Sequence, residues 1–315
     1  MPDVSVIMPA YNVAPYIGAA IESVCAQTHT ALELLVVDDG STDDSCAIAT
    51  RWAERDSRVR VLRQPNGGIS SARNAGLRVS AGAVLAILDS DDLWHPEYLE
   101  AQLAILEARP EIDVVTGNAW FLGSRLDGQP ARPCPDERPD PTLATILDDE
   151  AAVFIMSVFR RRVYETIGGF DENFHTNEDY DFWARTAIAG FRFVRNDRPL
   201  GWYRRRDDSL SANGVRMLQG ALRVNRKLRM LIADRPVEQA ILDRQSGRFE
   251  AELLVAEARA ALEVGDPAAI QESMAALHSS RGGALLGAAR LLARLAPGLL
   301  ARAYHLRRAR LEAHA

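Results

Sequence analysis

Val4 to Pro9 is a short, nearly all-apolar run, and Ile17, Ile21 and Val24 follow it at helical spacing. The same alternation then repeats, and it constrains the fold more than any other feature. A run of this kind suits a strand buried on both faces, since neither face can carry charge into the interior. Glu33 to Val37 reads as a second strand, Val59 to Leu62 as a third and Val84 to Leu88 as a fourth. Between them, Ser41-Thr42-Asp43 reads as a loop and helix N-cap, Asn66-Gly67-Gly68 as a turn, and Ser70 to Val79 as a helix. Pro96 suits the first turn of a helix reaching about Ala108, and Val114-Val115 opens another strand. This β-α-β-α order predicts an α/β fold around a mostly parallel, doubly wound sheet.

Residues 123–142 are rich in Pro, Gly and Asp and read as a surface excursion. Val153 to Phe159 reads as a strand, Glu178 to about Ala189 as a helix, and Phe191 to Val194 as a late strand. From about Val215 the pattern is helical only, with Gly265-Asp266-Pro267 as a turn. The expected organisation is a catalytic domain over 1–214 and an α-helical C-terminal extension over 215–315.

MPDVSVIMPA has neither the basic segment nor the apolar core of a signal peptide, and no uncharged apolar stretch reaches 18 residues. Cys25, Cys46 and Cys134 are odd in number and unrelated in spacing, which suggests neither a disulfide framework nor a zinc site. The expected location is the cytoplasm. Residues 1–215 hold 21 basic and 33 acidic side chains, a net of −12. So acidic a body argues against nucleic acid as a partner.

Ligands of a parallel sheet bind at the carboxyl ends of its strands. Asp38 and Asp39 follow the second strand, and Asp89-Ser90-Asp91-Asp92 follow the fourth. Taken singly, each is a turn or N-cap aspartate. Two acidic clusters in one crevice repel each other unless a cation lies between them. A hard divalent ion, Mn²⁺ or Mg²⁺, shared with diphosphate oxygens would resolve that conflict. No Gly-rich loop with a lysine follows the first strand, as a nucleotidyltransferase usually needs. Nor does a GxGxxG follow it, and Lys227, the only lysine, is in no P-loop context.

VSVIMPAYN, ELLVVDDGSTDDS, NGGISSARNAGL, LAILDSDDLWHP, GGFDE and NEDYDFWAR stand in this order over roughly residues 3–210. The ordered set resembles the motifs of inverting family 2 glycosyltransferases. The resemblance implies a GT-A fold, an α/β/α sandwich, and transfer of a sugar from a nucleotide-diphosphate donor to a hydroxyl acceptor. Pro9, Ala10 and Tyr11 would line the nucleotide pocket, and Asp39 would accept a hydrogen bond from the base. An imide N–H is needed for that bond, so UDP- and dTDP-sugars are both expected donors. Arg73 would lie near the nucleotide; otherwise it is a helix-surface arginine. Asp89, with Ser90, would contact ribose and sugar, and Asp91 would contact the metal, with Asp89 as its second acid.

Asp179 would be the catalytic base. In a single displacement one carboxylate must stand on the acceptor side to take the hydroxyl proton. Asp181, two residues on, would turn away and pair with Arg185. Glu178 would support the base. Without the resemblance, these acids suit a helix N-terminus. Gly168-Gly169-Phe170 would shape the donor-sugar and acceptor pocket. Trp94 and Trp183 are either core or sugar-stacking rings. Tyr203-Arg204-Arg205-Arg206 with Ser209 and Ser211 resembles a basic lid segment over the diphosphate. The expected acceptor is a saccharide, glycolipid or other hydroxyl compound in cell-surface polysaccharide or glycoconjugate synthesis. The alternative is a catalytically inactive sugar-nucleotide-binding module acting as a partner or regulator. Asp39, Asp89, Asp91 and Asp179 together argue against that.

Residues 281–315 carry seven arginines and one acid, Glu312. Leucines interleave with the arginines, and Pro297-Gly298 divides two helices. Three readings stay open: peripheral contact with the inner face of a membrane, a packed helical pair with arginines in water, or self-association as a homo-oligomer.

Overall fold

The computed structural model describes residues 2–123, 125–206 and 213–312. The chain begins β1 (Val4–Ala10), α1 (Ala14–Cys25), β2 (Leu32–Asp38), α2 (Ser45–Ala53), β3 (Val59–Arg63), α3 (Ile69–Val79) and β4 (Val84–Ile87). Then come β5 (Leu93–Trp94), α4 (Tyr98–Ala108), β6 (Val114–Leu122), α5 (Leu143–Asp148), β7 (Ser157–Arg160), α6 (Arg161–Ile167), α7 (Glu178–Ile188) and β8 (Phe193–Arg204). Five helices end it: α8 (Gly214–Leu231), α9 (Pro236–Val264), α10 (Pro267–Arg281), α11 (Ala284–Leu295) and α12 (Pro297–Glu312).

The strands form one sheet in the order β3-β2-β1-β4-β7-β6-β8-β5. β3, β2, β1 and β4 run parallel, in the register Val6↔Leu34 and Val6↔Ala86. β7 runs antiparallel to both β4 and β6, β8 parallel to β6, and β5 antiparallel to β8. Every residue of β1 and β2 is buried; β1 carries no charge, and the two acids of β2, Glu33 and Asp38, are paired with Arg60 and Arg63. The side chains of both strands alternate between two apolar layers. Val6 and Met8 pack with Ile17, Ile21 and Leu99 on one face. Ile7 and Ile87 pack with Leu77, Phe159 and Phe182 on the other. The result is the expected α/β/α sandwich, with both sheet faces covered by helices.

Several details depart from the sequence reading. The strand expected over Val153–Phe159 starts only at Ser157. β8 runs to Arg204, so Tyr203 and Arg204 lie in a strand rather than a loop. Ser209 and Ser211 lie outside the described residues. Trp94 and Trp183 are fully buried. Trp94 stacks on Tyr98 at 4.3 Å, and Trp183 meets Phe182 edge-on at 4.9 Å. Both are core residues, with no face left for a sugar.

The chain divides into two compact units, residues 1–212 with 224–242, and residues 213–223 with 243–315. Val224, Leu228, Ile232 and Leu242 are buried in the second apolar layer of the first unit. The second unit has its own core, in which Ala258, Leu262, Ile270, Met274 and Ala293 pack together. There Asp266 caps α10, accepting a 2.9 Å bond from the Ala268 N–H, and Pro267 occupies the first turn. Among the described residues no helix is long and apolar enough to cross a membrane. The three cysteines are free.

Candidate active site

The ends of β1, β2 and β4 and the start of α7 carry the residues that matter. Pro9 and Ala10 are buried at the end of β1, and Tyr11 beyond them is exposed. β1 lies between β2 and β4, so their acidic ends flank it.

Asp39 is buried and already well bonded. Its Oδ1 accepts from Gln64 Nε2 at 2.8 Å and from the Gly67 N–H at 2.9 Å. Its Oδ2 accepts from the Gly68 N–H at 2.8 Å. The carboxylate therefore fixes the turn that starts α3, where Gly68 adopts a φ of +86 that side-chain-bearing residues avoid. A carboxylate has about four acceptor positions, so one remains on Oδ2. Asp38 instead pairs with Arg63 at 3.1 Å.

Arg73 on α3 is the centre of the arrangement. It is 1% exposed, so the helix-surface alternative is wrong. Its Nη2 donates to Asp89 Oδ1 at 2.8 Å, and its Nη1 to Glu178 Oε1 at 2.6 Å. The guanidinium also lies over the Phe170 ring at 5.1 Å. Burial alone would lower its pKa, but Asp89 and Glu178 more than offset this and hold it protonated. Asn74, one residue on, accepts from the Phe170 N–H and donates to the Phe170 carbonyl, both at 2.8 Å. Gly169 makes this clasp possible, since a Cβ there would stand 2.1 Å from Asn74 Oδ1.

The loop after β4 concentrates negative charge. Ser90 and Asp92 are buried, while Asp89 and Asp91 are half-buried. Asp92 Oδ1 accepts from the Arg204 N–H at 2.7 Å, and its buried Oδ2 has no hydrogen-bond partner. Burial, then Asp91 and Asp89, push its carboxyl well above the usual range. Burial and then Asp89 also raise Asp91, against the opposing charge of Arg206. Arg206 Nε lies 3.4 Å from Asp91 Oδ2, and Arg204 Nε donates to the Asp91 carbonyl at 2.9 Å. Both guanidiniums sit against Tyr16, at 4.7 and 5.1 Å from its ring.

Asp179 is in the first turn of α7. The Tyr180 N–H donates to its Oδ1 at 2.9 Å. Burial, then Glu178, push its carboxyl up to about 7, while Arg73 pulls the other way. Asp181 is turned away as expected. It is fully buried, with Arg185 at 2.7 Å and Lys227 at 2.6 Å.

In the site the carboxylates of Asp89, Asp91, Asp92, Glu178 and Asp179 outnumber the guanidiniums of Arg73, Arg204 and Arg206 that face them. Among the described residues no three His, Cys, Asp or Glu side chains converge tightly enough to cage a metal ion unaided. A divalent ion held by one or two carboxylates and completed by substrate phosphates needs no such cage. Asp91, raised by burial and then by Asp89 beside it, fits that kind of site.

Sequence reasoning named Asp39, Asp89, Asp91 and Asp179 but missed what holds them. Gln64, Asn74 and Tyr16 were not singled out. The only hint was the Asn66-Gly67-Gly68 turn, whose free N–H groups need an acceptor.

The architecture is that of solved glycosyltransferases. S. aureus TarS 1–349 in complex with UDP superposes with a TM-score of 0.63, covering 97% of this chain and 92% of that one at 20% identity. The mannosyltransferase PcManGT from Pyrobaculum calidifontis, in complex with GDP-Man and Mn2+, gives 0.59 over 97% and 87% at 22% identity. Residues 5–168 match the model of glycosyl transferase family 2, and the chain belongs to that family. The uncharacterised glycosyltransferase EpsJ of Bacillus subtilis is 46% identical over 92 residues, which is 29% of this chain and 27% of EpsJ. Across eight such curated relatives the chain spans 17 to 59% of their length.

Proposed function

We propose that the chain is an inverting glycosyltransferase that moves a sugar from a nucleotide-diphosphate donor, UDP- or dTDP-linked, to a hydroxyl of a saccharide or glycolipid. The observation that carries this is Arg73, which ties the Asp89 loop to the turn bearing Asp179. Donor-side acids and a candidate base are thereby held in one frame.

Asp39 receives the base N–H through its remaining acceptor position. Pro9, Ala10 and Tyr11 line the same end of the sheet. Asp89 and Ser90 are assigned to ribose and sugar, with Arg73 fixing the Asp89 carboxylate. Asp91, with Asp89, would hold Mn²⁺ or Mg²⁺. Once bound, that ion would stabilise the negative charge gathering on the leaving diphosphate. Arg204 and Arg206, beside Asp91, bring further positive charge to that side. Asp179 takes the proton from the acceptor hydroxyl as its oxygen attacks the anomeric carbon and the bond to the diphosphate breaks. A base near pH 7 suits that task. Family 2 membership comes from the match over residues 5–168; the proposed chemistry rests on the carboxylate arrangement.

A thermal-shift and donor-hydrolysis screen of UDP-, dTDP- and GDP-sugars with Mn²⁺ or Mg²⁺ tests the reading. Stabilisation and hydrolysis by a UDP- or dTDP-sugar support it. Stabilisation without turnover on any acceptor favours an inactive binding module. No stabilisation by any nucleotide diphosphate overturns both.

A further inference from the structure

The second unit carries a surface that the transferase chemistry does not use. On α11, Leu286, Ala289 and Ala293 recur at helical spacing and pack into the core of that unit. That fixes which side of the helix is inward. Leu285, Leu292 and Leu295 are then left outward, at 89%, 46% and 72% exposure. α12 repeats the pattern. Ala301 and Tyr304 pack inward, while Leu299 and Leu306 are 60% and 66% exposed. Exposed leucines are ordinary one at a time, but a recurring outward set on two consecutive helices marks an interaction surface.

The charge beside the leucines identifies the occupant. Arg290, Arg294, Arg302 and Arg307 are all exposed. Over residues 281–315 one acid stands against seven arginines. Two copies meeting through this face would bring like charges together, which opposes self-association. A surface of negative headgroups over an apolar interior satisfies both components. Leucines enter the acyl boundary, and the flexible arginine stems carry their charges back to the phosphates. We propose that α11 and α12 form a peripheral docking surface for an anionic lipid bilayer.

The test is co-sedimentation of the full chain with vesicles of phosphatidylcholine alone and of phosphatidylcholine mixed with phosphatidylglycerol. Binding is expected only to the mixed vesicles and is expected to weaken as salt is raised. Leu292→Ser with Leu295→Ser, and separately Arg290→Gln with Arg294→Gln, should each lower the bound fraction at least about fivefold. These side chains point outward, so the melting temperature should not move. Leu285→Ser, at the most exposed position, serves if a pair fails to fold. No binding to mixed vesicles overturns the proposal. So does binding that ignores the leucine pair, or a concentration-dependent dimer that the leucine pair abolishes. Nucleotide-sugar stabilisation read on the same preparation separates this outcome from the fate of the transferase reading.

Discussion

Arg73 donates to Glu178 at 2.6 Å although 105 residues separate them in the chain. The same guanidinium holds Asp89 at 2.8 Å. One buried cation therefore fixes the strand-end acids against the first turn of α7.

Removing that cation leaves two acids poorly compensated in a largely dry site. Arg73→Met should destabilise the first unit by about 3 kcal/mol, the usual scale for breaking a buried pair. Adding Glu178→Gln should recover part of the loss. Urea denaturation of the single and double variants measures both, and an additive double variant would refute the coupling.

Asp179→Asn should lower transfer by at least about a hundredfold, the ordinary worth of a positioned base. The nucleotide-induced thermal shift should survive, because the donor-side residues are untouched. Single-turnover kinetics beside a thermal-shift titration separate the two effects.

The form of Asp179 that accepts a proton is the carboxylate. With its carboxyl pushed up to about 7, kcat/KM should rise as pH increases through 7 and level off above. The sign for stability is opposite. The folded chain binds this proton more tightly than an unfolded aspartate, whose pKa is near 3.8. Its contribution is therefore fully present below about pH 4 and lost as pH rises through 7. Asp179→Asn cannot ionise, so it should melt several degrees higher than the parent at pH 8 and match it near pH 4.

Gly169→Ala should cost about 2 kcal/mol, because the new methyl group would displace the Asn74 amide that clasps Phe170. Phe170 underlies Arg73, so activity should fall together with the melting temperature. Asn74→Ala in the same assay should reproduce most of the loss.

Metal dependence can be read without turnover. UDP with Mn²⁺ should raise the melting temperature more than UDP alone, and EDTA should remove the difference. Asp91→Asn should abolish that metal increment while keeping the smaller effect of UDP. An unchanged increment would show that Asp91 does not hold the ion.

The parallel half of the sheet was legible because β1, β2 and β4 are buried on both faces, so β1 and β4 exclude charge and β2 confines it to Glu33 and Asp38 near its two ends. β6 and β8 extend further than expected, since their outer residues are half-exposed and mix polar with apolar types. The two-residue β5 has no pattern to read. At the site, residue types were visible but partnerships were not. Nothing local distinguishes a surface arginine in SSARNAG from one that ends up enclosed by Asp89 and Glu178. Likewise Gln64 looks like any loop glutamine until the fold lays it against Asp39. Trp94 and Trp183 went to the core because each sits on an element whose inward face had to be filled.

The order in which the chain visits the site has an evolutionary consequence. Apart from Arg204 and Arg206, the residues assigned to the nucleotide precede residue 93, and the proposed base comes after residue 177. Recombination between those points could exchange acceptor preference while keeping the donor. The limit on such grafts is the Arg73–Glu178 bond. A foreign second half without an acid at position 178 would leave Arg73 with Asp89 alone and a buried Nη1 without its acceptor at the seam.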